Sequence, residues 1–174
     1  VDGTGNVNVF TSLVLDGIGQ PHISYQGNGD LKYAHFDGSS WQVQTVDSTG
    51  DVGAFNSLAL DEEGRPHISY YDYTNHDLKY AHLSGTAWIS DTVDGTGSVG
   101  YYTSLVLDAA DRPHISYSGY GGLKYAHFDG SAWISETVDS DGGIYTSLVL
   151  DMAGRPHISY FIWNTRNLKY AHFD

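Results

Sequence analysis

Short runs rich in Val, Ile, Leu, Tyr, Phe and Trp recur along the chain, separated by clusters of Gly, Asp, Asn and Ser. That pattern predicts β-strands joined by turns. No window carries a helical period with its caps. In the first unit the runs fall at 11–16, 22–25, 31–37 and 41–46, here designated strands A, B, C and D.

The pattern repeats. Pro-His-Ile-Ser-Tyr begins at Pro21, Pro66, Pro113 and Pro156, with spacings of 45, 47 and 43 residues. Each copy follows Ser-Leu-(Val/Ala)-Leu-Asp and precedes Leu-Lys-Tyr-Ala-His, and three continue into a strand opened by Trp41, Trp88 or Trp133. The A–B links are short, as from Asp16 to Pro21. Their leading Asp can bond turn amides, their Gly tolerates a positive φ, and Pro opens the next strand. The third copy has Asp111 in place of that Gly, and Asp can also enter the left-handed region.

Each unit is therefore a meander of tight hairpins. Four-stranded antiparallel units of about 40–50 residues are propeller blades. The expected fold is all-β, a β-propeller of four repeated four-stranded antiparallel blades in one domain, at approximately 1–45, 46–92, 93–137 and 138–174. A β-solenoid is the rival, but its repeats are typically shorter. The units resemble the blade repeats of secreted bacterial propellers, with an Asp-x-x-Gly turn similar to NHL-like and Asp-box propellers. They lack the full Asp-box pattern and the Trp-Asp ending of WD40 blades. The resemblance implies a fold and no particular function.

The fourth unit has no Trp strand, and Val1-Asp2-Gly3 corresponds to the tail of a D strand. Fifteen strands are expected where four full blades need sixteen. This leaves the C-strand edge at 168–173, from Leu168 to Phe173, open to another strand. A truncated chain leaves the same edge. A neighbouring copy completing the blade would make a self-assembling structural subunit, and two chains could share one eight-bladed ring.

Formal net charge is −13. An acidic surface repels nucleic acid and anionic membranes, and no basic patch counters it. Every Lys lies in a Leu-Lys-Tyr, and of the arginines only Arg166 lies outside Arg-Pro-His. No apolar run reaches membrane-spanning length. The absence of Cys rules out disulfides and thiolate metal sites. The chain opens on Val1 and reads as a mature or excised product; its composition suggests an extracellular location.

His22, His67, His114 and His157 look like a metal set, as do His35, His82, His127 and His172. One per blade, they lie well apart in a ring, so a buried structural role is expected, with Ser, Tyr and Asp satisfying the ring nitrogens. The same role is expected of Tyr25, Tyr70, Tyr117 and Tyr160, and of the three D-strand tryptophans between blades. Arg65, Arg112 and Arg155 suggest a sialidase-like carboxylate clamp, but Gln20 breaks the set, and pairing with Asp across neighbouring turns is expected instead. With no non-repeated acid–base pair, no enzymatic activity is expected. The D–A loops carry Asp, and Asp139 with Asp141 makes the best candidate calcium pair, short of the six to eight oxygens of a full site.

Departures from the repeat are where specific function can lie. The B–C loops vary most. One holds Tyr71, Tyr73 and His76, another Phe161, Ile162, Trp163 and Arg166, and a short one Tyr120. The D–A loops emerge on the same face and add Phe10, Phe55, Tyr101, Tyr102 and Tyr145. A glycan or protein ligand on this aromatic face is the expected function.

Overall fold

A computed structural model describes residues 1–173 and contains fifteen strands and no helix among them. Blade 1 is β1 (Val7–Leu15), β2 (Pro21–Gly27), β3 (Asp30–Phe36) and β4 (Trp41–Asp47). Blade 2 is β5 (Val52–Leu60), β6 (Pro66–Asp72), β7 (Asp77–Ser84) and β8 (Ala87–Asp94). Blade 3 is β9 (Val99–Leu107), β10 (Pro113–Gly119), β11 (Gly122–Phe128) and β12 (Trp133–Asp139). Blade 4 is β13 (Ile144–Leu150), β14 (Pro156–Ile162) and β15 (Asn167–His172). Each sheet is an antiparallel meander in chain order, and the last has three strands, as the repeat predicts.

The A strands begin earlier than the apolar runs suggest. Register shifts interrupt the pairing between Val7 and Thr11 and between Ala54 and Ser57. At that irregularity Phe55, Tyr102 and Tyr145 take φ of 51–53°. The extra residue lengthens the strand and turns its aromatic side chain.

The A strands lie side by side, β1 with β5, β5 with β9 and β9 with β13, while β13 makes no comparable contact with β1. The four blades thus form an arc with three internal seams. An inner blade of the arc has a neighbour on each face, so β6 is buried at every residue, unlike a sheet with one face in water. Alternation survives as a choice of neighbour. Ile68 and Tyr70 pack with Leu31 and Tyr33 of blade 1, and Ser69 bonds Thr103 of blade 3 at 2.9 Å. Full burial of side chains like Ile68 and Tyr70 stabilises by about 1.5–3 kcal/mol each.

The aromatic and histidine repeats are structural. Trp88 meets Tyr33 edge-on at 5.4 Å, and Trp133 meets Tyr80 at 5.2 Å. In blade 4, Phe173 fills this place, 5.2 Å from Tyr125. Trp41 packs on Phe36 of its own blade. His67 Nδ1 bonds the Tyr80 hydroxyl, and its Nε2 lies 3.4 Å from Asp61. His22, His114 and His157 repeat the arrangement with their own Tyr and Asp. Ser is not a partner; it bonds across the seam instead. The second histidine of each blade stacks on the first at 5.7–6.0 Å. Contrary to expectation, Nδ1 of His35, His82 and His127 is buried without a hydrogen bond among the described residues.

Candidate binding site

The B–C and D–A loops share one face, as expected, and backbone hydrogen bonds braid them into a rim. Tyr73 N–H donates to Asp51 O, Val99 N–H to His76 O, and Tyr120 N–H to Ser98 O. The expected aromatic residues split three ways on this face. Tyr71 is buried, with its hydroxyl 2.8 Å from both His76 Nδ1 and Tyr101 Oη. Burial, with smaller effects from Ser98 and Tyr101, pushes its phenol up to about 12. Ile162 is buried in the blade 3–4 seam. These two are therefore packing residues rather than surface contacts. Tyr73 is more open and packs edge-on to Tyr71 at 4.9 Å.

Along the inner wall Phe10, Phe55, Tyr102 and Tyr145 form a ladder, with ring centroids 4.3, 4.7 and 4.4 Å apart. They line an axial hollow of about 410 Å³. Tyr120 and Trp163 stand in solvent, 78% and 69% exposed. Phe161 is half-buried and meets Trp163 edge-on at 6.2 Å. Arg166 is exposed, at φ 57°. The face thus supplies separate projecting aromatics and a largely apolar hollow.

The Asp139–Asp141 pair does converge on a cation, but that cation is the Lys169 ammonium, at 2.8 Å from Asp139 and 3.3 Å from Asp141. Asp139 also accepts from the Tyr160 hydroxyl and the Asp141 N–H. The three arginines correct another expectation. Arg65, Arg112 and Arg155 pair with Asp61, Asp108 and Asp151, four residues back in their own turns, rather than across blades. The turn Asp already accepts the amide four residues on, which brings the guanidinium back over the same carboxylate.

A different crevice opens on the opposite face, where A–B and C–D turns meet between blades 2 and 3. Its volume is about 290 Å³, and its lining includes Tyr80, Asp91, Asp111, Arg112, Phe128 and Trp133. Phe128 braces Trp133 edge-on at 5.7 Å. In the preceding seam the Trp88 indole N–H donates to Gln44 at 2.8 Å. The residue at the Gln44 position here is Asp91, and among the described residues no hydrogen bond links it to the Trp133 indole. This seam therefore keeps an aromatic face, an indole donor and a carboxylate open together. Asp111 adds a second carboxylate, held at φ 57° where the other turns have Gly19, Gly64 and Gly154. Its Oδ1 lies 3.4 Å from the Glu62 N–H across the seam.

Sequence reasoning noted Asp111 as a departure but did not place a site there. The usable signal was that Asp111 replaces the turn Gly of the other three copies and Asp91 stands where the first copy has Gln44, on two adjacent blades.

No family model and no curated protein matches the chain. Among solved structures it is similar to a fucose lectin from Kordia zhangzhouensis, with 24% identity, 73% of this chain and 97% of that one covered, and a TM-score of 0.54. It is also similar to the NanB sialidase of Streptococcus pneumoniae, with 14% identity, 91% of this chain, 28% of that one and a TM-score of 0.60. A GH43 β-1,3-galactosidase gives 10% identity, 94% of this chain, 72% of that one and a TM-score of 0.62. These likenesses bear on fold and not on descent from NHL or Asp-box propellers. With the four blade sheets they show that the chain has a β-propeller fold.

Proposed function

We propose that this protein is a non-catalytic carbohydrate-recognition module whose principal sugar site is the crevice between blades 2 and 3. The carrying observation is the Trp133 indole, whose N–H has no hydrogen-bond partner among the described residues, beside Asp91, Asp111 and Arg112. Aromatic faces take the C–H face of a sugar, and carboxylates and guanidinium bond its hydroxyls. A crevice of about 290 Å³ suits a sugar ring better than an extended polymer. The lectin among the structural likenesses supports the ligand class. The arginine arrangement supports the non-catalytic reading, since each guanidinium is tied to its own turn and no clamp converges on one carboxylate. The reading carries an extracellular location, where such glycans are displayed.

The test is a glycan array followed by titration calorimetry on the best hit. Trp133→Ala should weaken binding at least about tenfold, the loss of one good contact. Trp88→Ala, at the equivalent seam, should leave affinity unchanged in the folded protein. An array without hits, or equal loss in both variants, refutes the site. Turnover of aryl glycosides would refute the non-catalytic reading.

A second reading is favoured by the exposure of Trp163 and Tyr120. Aromatics projecting alone from a rim suit a protein contact, which places a protein ligand on the B–C/D–A face. Trp163→Ser would then weaken capture of that ligand without changing sugar affinity.

A further inference from the structure

The three internal seams follow one rule. The A-strand Ser of each blade accepts a hydrogen bond from a Leu N–H on the next blade: Leu58 to Ser12 at 3.1 Å, Leu105 to Ser57 at 3.0 Å and Leu148 to Ser104 at 3.0 Å. The B-strand Ser bonds the residue two before the next A-strand Leu, in the pairs Ser24–Asn56, Ser69–Thr103 and Ser116–Thr146. The C-strand Leu and Tyr, such as Leu31 and Tyr33, bury against Leu58, Ile68 and Tyr70.

Both halves of this joint stand open at the ends of the arc. Blade 4 presents Ser147, Ser159, Leu168 and Tyr170, the last two 81% and 60% exposed. Blade 1 presents Thr11, Leu13, Ile23 and Trp41, with Leu13 60% exposed. Their equivalents Leu31, Tyr33 and Leu58 are buried. Surfaces this apolar are normally covered.

We propose that the outer face of blade 4 docks head to tail on the outer face of blade 1 in a second copy of this chain, repeating the internal seam. Ser147 Oγ then accepts from Leu13 N–H of the second copy, and Ser159 meets Thr11. Leu168 and Tyr170 cover Leu13 and Ile23, and Tyr170 meets Trp41 as Tyr33 meets Trp88. Asp2 of the second copy lies beside Leu168 as Asp47 pairs with Leu31. In its own chain Asp2 already accepts the Tyr25 hydroxyl at 2.7 Å, as Asp47 accepts that of Tyr70. The occupant follows from this complementarity. Two blade 1 faces offer only one half of the joint to each other. A strand added to the β15 edge would leave the faces of Leu168 and Tyr170 uncovered. A head-to-tail contact yields a ring if its rotation closes and a filament if it does not.

One residue weakens this joint relative to the internal ones. Gly53 and Gly100 adjoin the preceding blade so closely that a Cβ would lie 2.8 and 2.9 Å from the Leu31 and Leu78 Cα atoms. The equivalent residue in blade 1 is Asn8. Docking must shift around it, so assembly is reversible. The acidic chains also repel, so salt strengthens association.

The test is light scattering of the 174-residue chain across a concentration series in moderate salt. Mass should rise from that of one chain, 19.0 kDa, to multiples of it. Leu13→Glu and Leu168→Glu lie at exposed positions and should each leave a folded monomer by circular dichroism. Mixed in equal amounts, they should form a species of two chains and stop, because each blocks only one end. Asn8→Gly should tighten assembly about tenfold by relieving overpacking. A wild-type chain that stays monomeric at every concentration overturns the proposal. So does a Leu13→Glu chain that still assembles, which would point to pairing through the β15 edge.

Discussion

The hydroxyl of Tyr70 in blade 2 donates a 2.7 Å hydrogen bond to Asp47, the last residue of the outer strand of blade 1. The same carboxylate holds the Lys79 ammonium at 2.5 Å and accepts the Thr49 N–H. Tyr117 and Lys124 meet Asp94 in the same way, and Tyr160 and Lys169 meet Asp139. Each of the first three blades thus ends in an anion that the following blade encloses. Burial alone would raise the Asp47 carboxyl, but Lys79, the Thr49 amide and Tyr70 outweigh it and hold it below the usual range.

Asp47→Ala would leave a buried phenol hydroxyl and a half-buried ammonium without their acceptor. Such orphaned groups cost about 2–4 kcal/mol, and chemical denaturation should show a loss of that size. Asp2→Ala removes the equivalent contact at the exposed end of the arc and should destabilise much less.

Asp91→Gln would install the residue that ties down Trp88 in the preceding seam. The Trp133 indole should then donate to the new side chain. Sugar affinity should fall about tenfold, the effect of one lost charge-assisted hydrogen bond, while the unfolding midpoint should not drop. Calorimetry and thermal melts on the same preparation separate the two effects.

The pH profile of stability should fall on both sides. Burial, first of all, pushes the His22, His67 and His114 imidazoles below their usual value. Above an unfolded-state pKa of about 6.5 both states are neutral there and nothing is lost. As pH falls below it the unfolded chain takes up protons more readily, and stability declines. Asp47 and Asp94, held low, contribute stability above an unfolded pKa of about 3.9 that is lost on further acidification. At the other end burial pushes tyrosines up, Tyr71 and Tyr160 to about 12 and Tyr33, Tyr70, Tyr80, Tyr117 and Tyr125 further. Unfolded tyrosines ionise near about 10, so stability should fall as pH rises past that point. Urea titrations should give a plateau between these limits.

Calcium and its chelators should leave the melting temperature unchanged. The Lys169 ammonium occupies the space between Asp139 and Asp141 that a divalent ion would need. A rise in melting temperature with millimolar calcium, reversed by chelation, would contradict this.

The repeat made the strands, their order and the deficient last blade legible, because each element recurs with its own turn chemistry. His67 and Tyr70 could be assigned to packing on symmetry alone. The fate of single loops could not. Tyr71 and Tyr73 look alike in sequence, yet one is buried and the other open, because Tyr71 falls in the fully buried β6. The crevice between blades 2 and 3 was hidden for a related reason. Its walls, Asp91 and Asp111, belong to different blades, and only the packing of one blade on the next brings them together.

Each four-stranded blade carries both halves of a clasp, Tyr70 facing one neighbour and Asp94 facing the other. Duplicating such a unit adds a new blade together with a ready-made fit to both neighbours. A gene built this way can lengthen or shorten by one unit without any new surface having to evolve, leaving substitutions such as Asp91 and Asp111 free to differentiate one joint at a time.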